Sequence, residues 1–474
     1  MVSGQRQSNR VLYAATTAVV VTVVTTLILT SSPGPVGADG PPASADMVAT
    51  GPTVTDVEPT PEPPPAPTEP ARVRTCQVDP GIGVSPGTSV VGSVALSNTG
   101  EVLWEVGAES PVVPASVLKL VTARAALRIL GPEFRFTTRV VEGYHAGEVW
   151  LVGGGDPTLT RTRPGASTYY ADPARLTDLV NHVMEARADI PASEAFARVG
   201  VDDSRYDAFP QWNDTWRPNA AALGFVAPVT ALMVDGGRLS PAERLGQRTT
   251  DPVSQAAGAF VRTLSEASGF WRSEVVTGQA PVGARVIAEV SSPPLRVMID
   301  QMIRDSDNQI AEALIREVAL VLAVESFDEA AREVFDTSIF DPIPRFFADD
   351  GSGLSQENVM TPAFATQFLV DLVSDPDMAV IVDTLPRPGE SGSLLRRFGT
   401  VPELWPDISG KTGSLMGVRS LAGVIGGDDP LVYSVFVTGQ RVDDPSRDVV
   451  DRLVAEFHAC GENLAHWFPT EPGE

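Results

Sequence analysis

The sequence predicts an α+β protein: an antiparallel sheet flanked by helices, interrupted by an inserted second α+β unit. Three observations predict it. Apolar residues recur in short, strand-length runs near both ends of the chain. Between those ends lie stretches whose apolar residues are spaced three and four apart, as on one face of a helix. From about residue 140 to 286 the pattern changes to short strands, a helix and a loop-rich aromatic stretch, which reads as an insertion.

The elements follow in order. Val90 to Leu96 alternates loosely, Asn98-Thr99-Gly100 turns, and Val102 to Val106 resumes, so a hairpin is expected. Pro114 precedes a helical pattern from Ser116 to Leu130, carried by Val117, Leu120, Val121, Leu127 and Leu130. In the insert, Val149 to Val152 reads as a strand ending in Gly153-Gly154-Gly155, Ala174 to Ala186 as a helix and Phe196 to Val201 as a strand. Tyr206, Trp212, Trp216 and Phe225 suit a small domain's core better than a sugar-binding surface. No segment of the insert carries a motif assignable to catalysis. Pro294 to Ile303 and Ala311 to Val324 read as helices. Leu421 to Ile425 and Leu431 to Val437, split by Gly-Gly-Asp-Asp, read as adjacent antiparallel strands, and Val449 to His458 as an amphipathic helix.

The N-terminus is built differently. Arg6 and Arg10 precede Val11 to Thr30, a stretch without charge. It is read as a retained membrane anchor or as a signal segment cleaved near Val36-Gly37-Ala38, and either places the rest of the chain outside the cytoplasm. Residues 31 to 73 are rich in Pro, Ala, Thr and Gly and read as an extended spacer. The expected organisation is therefore an export segment (1–30), a linker (31–73), a catalytic unit in two parts (74–139 and 287–467) around the insert (140–286), and a tail (468–474). A net charge of −25 argues against nucleic acid as a partner.

The chemistry is signalled by scarcity. Only two of the 35 basic residues are lysines, Lys119 and Lys411. Arginine serves for fixed positive charge, but a desolvated lysine can lose its proton near neutral pH. Both lysines fall in motifs: Ser116-Val117-Leu118-Lys119 and Lys411-Thr412-Gly413, with Ser306-Asp307-Asn308 between them. The set S-x-x-K, S-D-N and K-T-G, in that order, marks penicillin-binding proteins and class A β-lactamases. With Gly153-Gly154-Gly155-Asp156-Pro157 and Asp350-Gly351-Ser352-Gly353-Leu354-Ser355, the chain resembles the low-molecular-mass, class C type D-alanyl-D-alanine carboxypeptidases and endopeptidases, which carry a large insert after the first motif. The resemblance runs from about residue 76 to 460. It implies a serine β-lactamase/DD-peptidase-like fold for the catalytic unit.

It also implies roles. Ser116 is the expected nucleophile, and Lys119, one turn on, its base, kept neutral by burial and by the nearby charge of Lys411. Ser306 relays a proton to the leaving amine, and Asn308 holds the substrate amide and Lys119. Asp307 fits a helix cap. Lys411 and Thr412 bind the substrate's terminal carboxylate on an edge strand, and Gly413 leaves room for the substrate backbone. The backbone N–H groups of Ser116 and Ser414 form the oxyanion hole. The implied substrates are peptidoglycan stem peptides, with β-lactams as covalent inhibitors. Relatives often carry Arg after the Asp-Gly-Ser-Gly-Leu-Ser phrase, where this chain has Gln356.

None of the four histidines stands in a nucleophile signature, so a Ser-His-Asp triad is not expected. No metal or cofactor is expected either, since no His/Cys/carboxylate cluster has metal spacing. A serine β-lactamase is the enzymatic alternative, with Glu357 or Glu390 as candidates for activating the deacylating water; a non-catalytic penicillin sensor is the other. Cys76 and Cys460 are the only cysteines. In an exported chain they are expected to form a disulfide rather than remain as two buried thiols. The resembled family packs both chain ends on one sheet, which brings them together.

Overall fold

The computed structural model describes residues 73–333 and 346–468. The export segment, the linker up to residue 72 and the tail from 469 lie outside the described residues.

In chain order, strands β1 (Thr88–Leu96) and β2 (Val102–Val106) lead to a 3-10 turn (Ala115–Leu118) and helix α1 (Lys119–Leu130). Then come β3 (Thr137–Glu142), β4 (Glu148–Val152), α2 (Leu176–Ala186), α3 (Ala192–Ala195), β5 (Arg198–Asp202), α4 (Pro252–Ser268), β6 (Glu274–Thr277) and β7 (Val286–Ser291). The chain continues through α5 (Leu295–Asp305), α6 (Asn308–Leu322), α7 (Phe327–Arg332), β8 (Phe346–Phe347), β9 (Val359–Met360), α8 (Pro362–Ser374) and α9 (Ala379–Asp383). It closes with β10 (Ile408–Leu415), β11 (Val418–Ile425), β12 (Leu431–Gly439) and α10 (Pro445–Cys460).

The main sheet has the order β10-β11-β12-β1-β2 and is antiparallel throughout. Strands from the two ends of the chain join at its middle, where β1 pairs with β12 from Thr88↔Gly439 to Leu96↔Leu431. The period of two sorts β12 between two cores. Val432 and Phe436 face the helical core with α1, α5, α6 and α8. Tyr433, Val435 and Val437 face Leu453, Val454 and Phe457 of α10. Because the chain ends share this sheet, Cys76 and Cys460 meet as a disulfide, with their Cα atoms 5.6 Å apart.

The second sheet has the order β6-β5-β4-β3-β7, parallel at β4–β5–β6 and antiparallel at β3. Helices α2 and α4 cover it through Leu179, Val183, Phe260 and Leu264. In chain order its first strand, β3, begins at Thr137 and its last, β7, ends at Ser291, so the sheet reaches beyond the span 140–286. The reason is mutual pairing: β3 and β7 hydrogen-bond to each other and carry the chain into and out of the insert side by side. Tyr206 and Trp216 are buried, while Trp212 and Phe225 pack on a small cluster around Trp216 that includes Leu354.

The loop-rich stretch after β5 does not stay with the second sheet. Asn213 and Trp216 hydrogen-bond to Asp349 and Asp350, and the Ala227 N–H donates to Gln309. This segment lies against the S-D-N and Asp-Gly-Ser-Gly regions, although no motif in it is assignable to catalysis.

Candidate active site

The site lies where the start of α1, the α5–α6 junction and the edge strand β10 converge. Ser116 is not in the helix itself. It sits in the 3-10 turn that runs into α1 at Lys119. The turn is set by Ala115, whose φ of 49° lies in the left-handed region that disfavours a side chain. What holds it is close packing. A Cβ on Gly413 meets the Pro114 carbonyl oxygen, at 2.8 Å, and Ala115 Cβ, at 3.1 Å. A Cβ on Gly353, itself at φ +81°, falls on the Ala115 carbonyl. Two glycines from distant motifs therefore press the Ser116 turn between β10 and the Asp-Gly-Ser-Gly loop. The missing side chain of Gly413 makes room for the protein's own Pro114–Ala115 segment and for Ser420.

Lys119 is 0% exposed. Its ammonium nitrogen is 3.0 Å from Ser116 Oγ, 2.6 Å from Asn308 Oδ1 and 2.6 Å from the Ser352 carbonyl oxygen. Burial lowers its pKa to about 8, against the opposing pull of Asp350, Asp307 and Glu312. Lys411 is also 0% exposed, with Nζ 2.9 Å from Ser306 Oγ and 2.9 Å from the Thr412 carbonyl. Burial first, then the positive charges of Lys119 and Arg244, pull its pKa well below the usual lysine range. Burial is the largest cause of the depression of Lys119, and the repulsion between the two lysines acts on both.

Ser306 caps the end of α5 in a left-handed conformation, φ 61°. A non-glycine residue there carries strain of about 1–3 kcal/mol, a feature concentrated at functional sites. Asp307 caps α6 by accepting from the Ile310 N–H, as its residue type suggests. It does more than cap. Its other carboxylate oxygen accepts from Arg238 at 2.8 Å, both side chains 1% exposed, with Arg248 at 3.9 Å. Burial pushes its carboxyl up, but these two arginines outweigh it and hold the pKa below the usual range. Arg238 is also stacked on Tyr169, 3.9 Å from the ring centre. Asn308 opens α6; its Nδ2 donates to the Phe225 carbonyl at 3.0 Å.

Thr412 Oγ1 hydrogen-bonds to Ser393 Oγ at 2.7 Å, and β10 leaves its outer edge unpaired within the sheet. Together these groups line a cleft of about 270 Å³ with Ser116, Ser306, Asn308, Thr412 and Ser414 on its walls. Phe225, Arg244 and Arg248 of the insert, and Ser393, share the lining. Glu357 and Glu390, the candidates for a β-lactamase carboxylate, do not line it. Sequence reading missed the contributions of Arg238, Arg244, Arg248, Ser393 and the Ser352 carbonyl. Arginines and serines are common and solvated elsewhere, so residue type alone does not single these out. The buried Asp350 was visible only as part of a phrase; it accepts from the N–H groups of Gly353 and Ser355 and from Trp216 Nε1, and so shapes the loop that meets Lys119.

The described residues hold no group of three or more His, Cys, Asp or Glu fit to bind a metal ion. Among them no helix is long and apolar enough to cross a membrane; the segment 11–30 expected to do so lies outside the described residues.

Comparison with known proteins gives a consistent picture. A family model described as the D-Ala-D-Ala carboxypeptidase 3 (S13) family matches residues 78–245 and 241–457. A carboxypeptidase of Mycobacterium tuberculosis is 33% identical over 404 residues, covering 82% of this chain and 84% of that one. Carboxypeptidase DacB of Mycolicibacterium smegmatis is 33% identical over 384 residues, covering 78% and 81%. Among solved structures, penicillin binding protein 4 (dacB) from Haemophilus influenzae matches with a TM-score of 0.66 at 20% identity, covering 79% of this chain and 98% of that one. That last likeness is one of fold.

Proposed function

Because the chain belongs to the D-Ala-D-Ala carboxypeptidase 3 (S13) family and is a serine D-Ala-D-Ala carboxypeptidase, we propose that its acyl-enzyme forms on Ser116. The observation that carries this is the contact of a buried, pKa-depressed Lys119 with Ser116 Oγ at 3.0 Å. A serine hydroxyl needs a base within hydrogen-bond reach, and a lysine serves once its proton is lost.

In the proposed sequence, neutral Lys119 takes the Ser116 proton as Oγ attacks the carbonyl carbon of the penultimate D-alanine. The negative charge forming on the carbonyl oxygen is met by the N–H groups of Ser116 and Ser414, each such donor worth about 3–4 kcal/mol in the transition state. The C–N bond breaks and the leaving amine takes a proton through Ser306, which Lys411 holds at 2.9 Å. Water then releases the shortened stem peptide and restores Ser116. Lys411 and Thr412 receive the substrate's terminal carboxylate. A carboxylate beside Lys411 raises its pKa and favours its charged form. Arg244, whose charge already reaches Lys411, adds to the positive field there.

Peptidoglycan lies outside the cytoplasm, and the enzyme acts there. Residues 11–30 tether it to the membrane and the proline-rich segment 31–73 spaces it from the surface, a reading supported by the two arginines ahead of the uncharged stretch.

Penicillin places a strained amide where the peptide bond sits. The same attack gives an ester on Ser116, and among the described residues no carboxylate beyond Asp305 and the arginine-paired Asp307 lines the cleft to activate a deacylating water. Mass spectrometry of the penicillin-treated protein is expected to find one adduct, mapped to Ser116 and persisting for minutes. Rapid turnover to free penicilloate with no trapped adduct would move the assignment to a β-lactamase.

A further inference from the structure

Two of the acceptors around Lys119 Nζ are carbonyl oxygens, Asn308 Oδ1 and the Ser352 backbone oxygen, each at 2.6 Å. A carbonyl oxygen accepts and never donates. A neutral amine has two hydrogens to give and one lone pair. When those two oxygens take both hydrogens, the lone pair is left for Ser116 Oγ at 3.0 Å, whose hydroxyl can donate. Two acceptors thus set the direction of proton transfer, and each has to be held in place. Asn308 is held by its own Nδ2, which donates to the Phe225 carbonyl. The Ser352 carbonyl is held by a residue that the proposed sequence of steps does not use.

That residue is Glu312, on α6 one turn after Asn308 and 0% exposed. Its Oε1 accepts from the N–H groups of Gly351 at 3.1 Å and Ser352 at 2.9 Å. Its Oε2 accepts from Arg316 at 2.8 Å. All three partners are donors, so the ionised carboxylate is the form that fits. Asp350 takes the N–H groups of Gly353 and Ser355 farther along the loop. The Gly351 carbonyl is taken by Thr122 Oγ1 at 2.6 Å, three residues along α1 from Lys119. The loop lies directly on α6, where a Cβ on Gly351 would come within 2.8 Å of the Ala311 carbonyl oxygen. With these groups turned to Glu312 and Thr122, the Ser352 carbonyl is left to meet Lys119.

We propose that Glu312 is a positioning residue for the base: it holds the Gly351–Ser352 peptide so that the Ser352 carbonyl, together with Asn308 one turn earlier on the same helix, takes both hydrogens of neutral Lys119 and leaves its lone pair facing Ser116. The inference rests on the acyl-enzyme reading above, in which Lys119 is the base. Glu312 does not line the catalytic cleft and acts only through Lys119. Its charge has a second consequence. Asp350, Asp307 and Glu312 raise the proton affinity of Lys119, against burial and the repulsion of Lys411. Removing the Glu312 charge therefore lowers the pKa of Lys119, and the neutral base is present at lower pH. A residue that merely packed α6 against the loop would leave that pKa where it is.

A chain with two lysines makes the base directly visible. Carbon-13-labelled lysine gives the full-length protein two side-chain ε-carbon resonances, and Lys119→Arg identifies the one to follow. Glu312→Gln keeps the shape and removes the charge. Glu312→Gln/Arg316→Met removes the buried pair together, so no buried charge is left unpaired if the single variant fails to fold. In each, the Lys119 titration and the rising limb of penicillin acylation are expected to move together to lower pH, by about half a unit or more. The plateau rate is expected to fall about fivefold or more, because the second acceptor is less firmly aimed. A Lys119 titration that stays in place, or a plateau rate equal to wild type, overturns the role of Glu312. In the wild-type protein the amide hydrogens of Gly351 and Ser352 are expected to exchange slowly with deuterated water; exchange as fast as in an exposed loop overturns it whether or not the variants fold. A wild-type enzyme that takes no penicillin on Ser116 overturns the positioning role and the functional reading together.

Discussion

At Lys119 the proposed mechanism turns on a single proton. The side chain is wholly buried, and its pKa is lowered to about 8 chiefly by loss of hydration. In the proposed mechanism the neutral form is the active one, so the sign follows directly. Below about pH 8 the neutral fraction falls about tenfold per unit, and above it the fraction saturates. The second-order rate of penicillin acylation is therefore expected to rise with pH and level off above about 8. A profile flat from pH 6 to 9 would contradict a lysine base. Lys411→Arg keeps a cation for the carboxylate but not the compact geometry that reaches Ser306. It is expected to raise KM for the stem peptide by about tenfold or more and leave measurable acylation; unchanged KM would remove Lys411 from carboxylate binding.

At the scale of elements, the site depends on junctions rather than on whole helices. The α5–α6 junction presents Ser306 and Asn308, and the buried Arg238–Asp307 pair ties it to the insert. Arg238→Ala leaves Asp307 buried without its closest partner, a loss of about 3–5 kcal/mol. A lowered melting temperature and weakened acylation are expected together; a melting point within a degree of wild type would show that the pair carries no load. Gly353→Ala drives a methyl group into the Ala115 carbonyl at a positive φ. It is expected to slow acylation of Ser116, about tenfold or more, without touching any reacting group; wild-type acylation kinetics would remove that contact from the positioning of Ser116. Much of this was legible beforehand. The hairpin at 90–106, α1, α5, α6, the paired strands β11 and β12, and α10 follow from apolar periodicity, and the three motifs follow from residue identity. What was not legible has a physical reason. The contacts of Arg238, Arg248 and Phe225 with the site are long-range, and nothing local marks an arginine that will be buried. The job of Gly413 was likewise hidden, since it depends on Pro114 and Ala115, which lie about three hundred residues earlier in the chain.

For the molecule as a whole, the main sheet is completed by both ends of the chain, and the insert returns to the cleft it interrupts. Joining Cys76 to Cys460 closes a loop spanning nearly the whole described fold. In the chain-entropy model such a closure is worth at most about 5 kcal/mol. Thiol titration of the denatured, unreduced protein is expected to find no free cysteine, and the Cys76→Ser/Cys460→Ser variant to unfold at lower denaturant while still acylating when folded. Two titratable thiols would refute the bridge. All of this architecture converges on one chemical claim, that Lys119 takes the proton from Ser116. Its most direct test is the penicillin acylation rate of Lys119→Arg at pH 8, with thermal unfolding measured alongside to establish that the variant is folded. Arginine keeps the positive charge and cannot accept the proton, so the rate should fall by about three orders of magnitude or more. A folded Lys119→Arg protein that acylates at near wild-type speed would contradict the account.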